Sequence, residues 1–196
     1  FTKGFEPETR IYDVPINFEP DGSGSDYIPN NYDGKFRGLL TMREALAQSL
    51  NIPAVSTLYL AGVSDTITLA KAMGITTLTE RSRYGLSLVL GGGEVKLVDM
   101  VGAYSVLAQE GVKRAQTFIL KITDNRGQTL EEYLDQPMQV VDAQYPRLIN
   151  SILSDPDLRA PLFQSSLNLT VFPNQDVALK TGTTNDYHDP WAMGYT

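Results

Sequence analysis

The sequence contains no cysteine, and it has only one histidine and one tryptophan. Without thiols the chain forms neither a disulfide framework nor a thiolate metal site, and its redox compartment is left open because a cysteine-free chain suits any compartment. Basic residues are also scarce, since 16 Lys and Arg stand against 23 Asp and Glu, for a net charge of −7. No basic stripe is available to neutralise phosphates, so we predict no nucleic-acid partner.

Long hydrophobic runs are missing as well. No uninterrupted apolar run approaches the roughly 20 residues that a membrane-spanning helix needs, and no signal-peptide pattern opens the chain. At 196 residues, of which 42% are hydrophobic, the chain is nevertheless long enough for one sizeable core. It starts at Phe1 without an initiator Met and stops at Thr196 inside a predicted strand, so we expect a segment of a larger polypeptide.

The sequence offers little to bind a metal ion. His188 is flanked by aspartates, but a single imidazole in a strand-connecting turn is typical of a solvated turn residue. The stretch 21–26 resembles the start of a calcium loop, yet it lacks Gly at the sixth position and has Tyr32 where the twelfth-position acid belongs. We therefore predict no metal site and no other cofactor.

Turn residues and apolar periodicity predict an α/β chain. The first forty residues are rich in Pro and Gly and leave little room for helix, whereas Thr41 and Glu44 form the sequence pattern of a capping box. Predicted helices cover residues 41–49, 53–61, 64–73, 97–108 and 142–154, the last closed by Asp155 and Pro156. Predicted strands cover residues 118–123 and 128–133, which form a hairpin, and residues 176–183 and 191–196, which form an antiparallel pair.

The strongest chemical signal is the tetrapeptide Lys-Thr-Gly-Thr at the end of a predicted strand. Lys180 supplies a point charge that favours an anionic substrate. The hydroxyls of Thr181 and Thr183 suit a terminal carboxylate, and Gly182 removes a β-carbon that would block a peptide lying against the strand edge. Taken alone, a surface strand end with an ordinary lysine explains these residues equally well.

A second signal is Ser49-Leu50-Asn51, predicted to lie in the short turn between two helices. In the functional interpretation Ser49 shuttles a proton to a departing amine, and the Asn51 amide binds the substrate backbone with its paired donor and acceptor. Both residue types are also common in plain turns. No serine is followed three positions later by lysine, so the S-x-x-K nucleophile of active-site serine chemistry is absent.

Both motifs lie within longer stretches of sequence that follow one another in a fixed order along the chain. Residues 32–38 (Tyr-Asp-Gly-Lys-Phe-Arg-Gly), 41–55, 90–104 and 180–196 resemble the transpeptidase domain of bifunctional class A penicillin-binding proteins. Residues 152–163 look most like the branch often called type one-C. The similarity spans nearly the whole chain, which makes it far more specific than either short motif.

The resemblance implies a β-lactamase-like α/β fold, with an antiparallel sheet flanked by helices and Lys180 on an inner strand. Residues 1–196 would form an incomplete domain that lacks the S-x-x-K segment and the C-terminal strands and helix. The family's D,D-transpeptidases cross-link peptidoglycan stem peptides through a serine acyl-enzyme, and β-lactams acylate the same serine. The implied catalytic residues are Ser49, Asn51 and Lys180, and the implied substrate-binding residues are Thr181, Gly182 and Thr183.

The same resemblance implies a place in the bacterial cell envelope, at the periplasmic or outer face of the cytoplasmic membrane. The partners would be stem peptides ending in D-Ala-D-Ala and β-lactam antibiotics, with a membrane anchor and a glycosyltransferase domain upstream. A cut sheet would expose a strand edge, so we expect a partner segment, a dimer or a rearranged sheet. A serine β-lactamase, a non-catalytic binding module for stem peptides or β-lactams, and a purely structural fragment stay open as alternatives.

Overall fold

The structure is a computed structural model, and it describes residues 1–18, 26–184 and 189–196. His188 and residues 21–25 of the calcium-like stretch lie outside these ranges.

The first part of the chain is a two-stranded hairpin that leads straight into a helix. Strand β1 (Arg10–Asp13) pairs antiparallel with β2 (Gly38–Thr41), and α1 (Met42–Ala47) begins at the next residue. The capping box is confirmed, because the Glu44 N–H donates to Thr41 Oγ1 at 3.2 Å and the Thr41 N–H donates to Glu44 Oε2 at 2.7 Å. The hydrogen bond from the Thr41 backbone holds the pKa of Glu44 below its usual value.

Two further helices follow, α2 (Asn51–Ala61) and α3 (Val63–Met73), with a bend of 92° between them at Gly62. The predicted start of α2 at Pro53 was wrong, because the helix begins at Asn51. Proline is tolerated in a first helical turn, where its missing N–H would have no partner within the helix. Consequently Asn51 is the first residue of α2 and does not lie in the connecting turn.

Within the described ranges, no single helix has the length and hydropathy of a membrane span. Helices α2 and α3 reach this length and hydropathy only when they are counted together across their bend.

The central helix α4 (Leu97–Ala108) matches its predicted range and follows a short 3₁₀ helix, Leu86–Leu90. After it come β3 (Val112–Lys113), the predicted hairpin of β4 (Lys121–Thr123) and β5 (Thr129–Glu132), and β6 (Met138–Gln139), which pairs with β3. Some of the buried apolar residues pack into two clusters within the described part of the chain. One contains Ile11, Leu40, Met42, Ala45 and Leu50, and the other contains Ile67, Ile75, Leu78 and Ala103.

The segment that was predicted to close a helix also begins one. Helix α5 (Gln144–Leu153) ends near the expected position, but Asp155 then accepts hydrogen bonds from the N–H groups of Asp157 and Leu158 and caps α6 (Pro156–Phe163). An Asp-Pro pair is compatible with the start of a helix as well as with the end of one, because aspartate is a preferred N-cap residue and proline fits the first helical position. A 3₁₀ helix, Gln164–Thr170, completes this region.

The last two strands carry the Lys-Thr-Gly-Thr segment. Strand β7 (Ala178–Thr183) pairs antiparallel with β8 (Pro190–Tyr195), as predicted, with Lys180 opposite Met193. The inner-strand placement of Lys180 was wrong for the described residues, because β1, β2 and β3–β6 pair among themselves and leave β7 with one strand neighbour. Tyr195 anchors the pair, since its hydroxyl donates to Asn150 Oδ1 on α5 at 2.6 Å and its ring meets Tyr104 of α4 edge-on.

Candidate active site

The two sequence motifs meet in space through one hydrogen bond. Lys180 Nζ on β7 donates to Ser49 Oγ at 2.6 Å, although the two residues are 131 positions apart in the chain. The same ammonium donates to the Thr181 carbonyl oxygen at 2.7 Å, which folds the lysine side chain back along its own strand. The cation therefore has a fixed position beside the serine hydroxyl.

The surroundings of Lys180 disfavour its positive charge. Burial lowers the pKa of Lys180 from 10.5 to about 8. None of the ion pairs formed by the described residues involves this lysine, and its two hydrogen-bond acceptors there are a neutral hydroxyl and a carbonyl. A desolvated cation without a counter-ion attracts an anion, so a carboxylate in the adjoining space would bind favourably.

Ser49 occupies a backbone conformation that normally belongs to glycine. Its φ is 53°, and it follows α1 at the position where a left-handed residue closes a Schellman motif. The Ser49 N–H donates to the Leu46 carbonyl at 3.1 Å, and the Leu50 N–H donates to the Ala45 carbonyl at 3.0 Å. Leu50 and Ala45 lie in the same buried cluster, which is the apolar contact that accompanies this motif. A non-glycine residue here carries a conformational cost of about 1 kcal/mol.

Asn51 is held by the loop that precedes β2. Its backbone N–H donates to Asn31 Oδ1 at 2.9 Å, and its side-chain Nδ2 donates to the Asn30 carbonyl at 2.7 Å. Sequence reasoning did not single out Asn31. The available signal was that Leu50, immediately before α2, has no side chain able to cap a helix.

The rest of the Lys-Thr-Gly-Thr segment extends away from Ser49 along β7. Thr181 is partly buried, whereas Gly182 and Thr183 are exposed. A β-carbon built on Gly182 would meet no atom of the described residues within 4 Å, and the backbone there does not have positive φ. Among the described residues, neither conformation nor packing requires glycine at this position, and the surface there is open.

No group of three or more His, Asp and Glu side chains among the described residues is arranged to hold a metal ion.

The backbone strain at Ser49 predicts a difference between two substitutions that both remove the hydroxyl. We expect Ser49→Gly to be more stable than Ser49→Ala by about 1 kcal/mol, because only glycine adopts positive φ without a β-carbon clash. Urea unfolding followed by circular dichroism measures this difference. Equal stability of the two variants would contradict the strained geometry.

The lowered pKa of Lys180 predicts that stability depends on pH in a defined window. Because the folded pKa is about 8 and the unfolded value 10.5, the unfolded chain binds more protons between these values, and the free energy of unfolding rises with pH there. Burial raises the pKa of Tyr195 to about 12, which opposes this trend above pH 10. The informative range is therefore about pH 8 to 10.

Lys180→Met should abolish this rise and should increase stability at neutral pH, where the buried charge is costly. Lys71→Met, which changes an exposed lysine on α3, is the control and should keep the rise. Urea midpoints measured across the range test this, and a rise that survives in Lys180→Met would show that another group causes it.

Comparison with known proteins agrees with the family resemblance seen in the sequence motifs. Residues 1–196 match the family described as penicillin-binding protein transpeptidase domain. Penicillin-binding protein 1A of Aquifex aeolicus is 35% identical over 191 residues, covering 96% of this chain and 25% of that protein. The chain thus spans about a quarter of the length of this relative.

Two solved structures share the fold. Penicillin-binding protein 1A from Haemophilus influenzae has a TM-score of 0.83 at 22% identity, covering 98% of this chain and 33% of its own. PonA1 from Mycobacterium tuberculosis, solved in complex with penicillin V, has a TM-score of 0.78 at 23% identity, covering 100% of this chain and 53% of its own. The predicted fold class and class A resemblance are confirmed, while the type one-C branch stays a prediction. The chain belongs to the transpeptidase domain family of class A penicillin-binding proteins.

Proposed function

We propose that residues 1–196 carry the second and third motifs of a D,D-transpeptidase site that cross-links peptidoglycan stem peptides by acyl transfer. The observation that carries the proposal is the 2.6 Å hydrogen bond from Lys180 Nζ to Ser49 Oγ, which joins the two motifs at one point. Family membership over the whole chain supports the reaction class.

The nucleophile would come from outside these residues. No serine in the chain is followed three positions later by lysine, so residues 1–196 hold no S-x-x-K motif. In the proposed first step, an external serine gives its hydroxyl proton to a base outside these residues, its oxygen bonds to the penultimate D-Ala carbonyl carbon, and the bond from that carbon to the terminal D-Ala nitrogen breaks. In the second step, an amine of a neighbouring stem peptide attacks the ester carbon and gives a proton back through Ser49 to Lys180, and the serine oxygen leaves and recovers its proton from the external base.

Ser49 is placed to move the proton that the first step requires. Its hydroxyl accepts a hydrogen bond from Lys180, so its own proton is directed elsewhere and can pass to the departing amine nitrogen. The nearby ammonium compensates for the loss of that proton and returns one after the amine leaves, a transfer that suits a pKa of about 8.

The remaining residues would hold the substrate. One Nδ2 hydrogen of Asn51 is taken by the Asn30 carbonyl, which leaves the other hydrogen and Oδ1 for the peptide backbone. The hydroxyls of Thr181 and Thr183 would bind the terminal carboxylate in the field of Lys180. The open surface at Gly182 would receive the peptide along the strand.

The relatives support a proposal about the setting of the intact protein. We propose that it acts at the periplasmic or outer face of the cytoplasmic membrane, held by an N-terminal anchor and preceded by a glycosyltransferase domain. Stem peptides ending in D-Ala-D-Ala would be its substrates. The complex of PonA1 with penicillin V supports β-lactams as its inhibitors.

The open edge of the β7–β8 pair is a surface on which another polypeptide segment could associate. The structure leaves one edge of β7 without a strand partner among the described residues, and large apolar side chains such as Phe118, at 96% exposure, and Leu134, at 73%, lie on the surface. We expect another segment of the parent polypeptide or a second copy of the chain to cover these surfaces.

Isolated residues 1–196 should then self-associate in sedimentation velocity runs at micromolar concentration, because the uncovered edge and apolar surface are available to a second copy. A monomer at all concentrations would contradict this proposal.

The main test is labelling of the parent polypeptide that contains residues 1–196 with a fluorescent penicillin. Gly182→Ala should slow labelling by about tenfold or more, because a methyl group enters the proposed peptide path, while the urea midpoint stays unchanged. Gly85→Ala is the matched control, since a β-carbon there also meets no atom and φ is also not positive.

The proposal fails if the unsubstituted polypeptide is not labelled, which would favour the binding module. Rapid turnover of a chromogenic cephalosporin would instead favour a serine β-lactamase. Equal labelling of both glycine variants would remove Gly182 from the substrate path.

A further inference from the structure

The helix that begins with Asn51 lacks a local cap. The residue before it, Leu50, makes no side-chain hydrogen bond to the first turn and is buried in the core, with 2% of its surface exposed. The first N–H of the helix, that of Asn51, is instead accepted by Asn31 Oδ1, from 20 residues earlier in the chain. A long-range contact therefore satisfies one of the unpaired N–H groups at the helix start, where Leu50 supplies no side-chain cap.

Asn31 is itself fixed by a buried carboxylate. Its Nδ2 donates to both oxygens of Asp13, at 2.7 and 2.9 Å, and to the Lys35 carbonyl at 2.8 Å. Asp13 is 0% exposed and Asn31 is 5% exposed. The amide orientation is unambiguous, because a carboxylate only accepts and a backbone N–H only donates, so Nδ2 must face Asp13 and Oδ1 must face Asn51.

The same loop also orients the Asn51 side chain. The backbone carbonyl of Asn30 accepts a hydrogen bond from Asn51 Nδ2 at 2.7 Å. The main chain and the side chain of Asn51 are therefore both held by adjacent residues, 30 and 31. A displacement of Asn31 would move both contacts together, because one peptide unit connects them.

The pair Asp13 and Asn31 also satisfies backbone groups around it. Asp13 Oδ2 accepts from the Arg37 N–H at 2.9 Å, and Asn31 contacts both the Lys35 carbonyl and the Asn51 N–H. A serine or aspartate at position 50 could cap the start of the helix locally. What a local cap would not do is tie Asn51 to the β1–β2 hairpin.

We propose that Asp13 and Asn31 are positioning residues for the substrate-binding amide of Asn51. This inference rests on the proposed function, in which that amide receives the substrate backbone. Asp13 fixes Asn31, Asn31 fixes the start of α2, and the adjoining carbonyl of Asn30 fixes the direction in which the Asn51 amide presents its unused donor and acceptor.

The test uses the parent polypeptide with single and exchanged substitutions at the pair. Asn31→Asp places two carboxylates in contact, and Asp13→Asn replaces an acceptor with an amide, so each should slow acylation by penicillin about tenfold. The double exchange, Asp13→Asn with Asn31→Asp, restores one amide–carboxylate pair and still presents an oxygen to the Asn51 N–H, but the Lys35 carbonyl loses the donor that Asn31 gave it. It should therefore recover part of the lost rate and react faster than either single variant.

A second β-lactam separates positioning from general damage. Penicillin carries an acylamino side chain that imitates the substrate backbone, whereas a carbapenem has a hydroxyethyl group in its place. Loss of Asn51 orientation should therefore slow penicillin much more than the carbapenem, while a loosened fold should slow both. Asp33→Asn is the matched control, because this carboxylate lies in the same loop but pairs with Arg37 and the Lys35 N–H.

Three results would overturn the inference. They are single variants that react at the unsubstituted rate, an equal loss with both β-lactams, and a loss in Asp33→Asn as large as in Asn31→Asp. Failure of the unsubstituted polypeptide to react with either β-lactam would remove the proposed function itself, and this inference with it. Selective slowing with penicillin that the double exchange partly reverses would support the inference and the proposed function together.

Discussion

The structure of the site depends on one buried cation held against one hydroxyl. Lys180 cannot reach Ser49 unless β7 is docked on the helices and α1 ends where it does. Tyr195 and Asn150 secure the strand, and the Schellman motif after α1 directs the serine toward it. The core thus acts as a scaffold that brings together two segments 131 residues apart, and burial of the lysine lowers its proton affinity in the direction that the proposed chemistry uses.

Several energetically unfavourable features are concentrated at this site. Ser49 adopts positive φ, Leu50 gives up the helix cap to enter the core, and Lys180 is desolvated without a counter-ion among the described residues. Glycine at position 49 would relieve the strain but lose the hydroxyl, and an apolar residue at position 180 would avoid desolvation but lose the charge. Strain that persists where surrounding contacts overdetermine the backbone is typical of functional sites.

Sequence reasoning succeeded where the signal was local. The capping box at Thr41, the periodic helix α4 and the β7–β8 pair depend on neighbouring residues, and the structure has all three. It was incomplete where one pattern permits two outcomes, as at Asp155, which was predicted to close one helix and also caps the next. The link from Asn31 to Asn51 was beyond local reasoning, because a cap supplied from 20 residues away leaves no periodicity to detect. The site motifs were found by their order along the chain, and their meeting at Ser49 could be expected only through the family resemblance.

The central claim is that Ser49 serves the reaction without being its nucleophile. The most direct measurement is to acylate the parent polypeptide with penicillin, digest it and locate the adduct by mass spectrometry. The account predicts a single penicilloyl serine outside residues 1–196, followed three positions later by lysine. An adduct on Ser49, or on any other serine within residues 1–196, would contradict it.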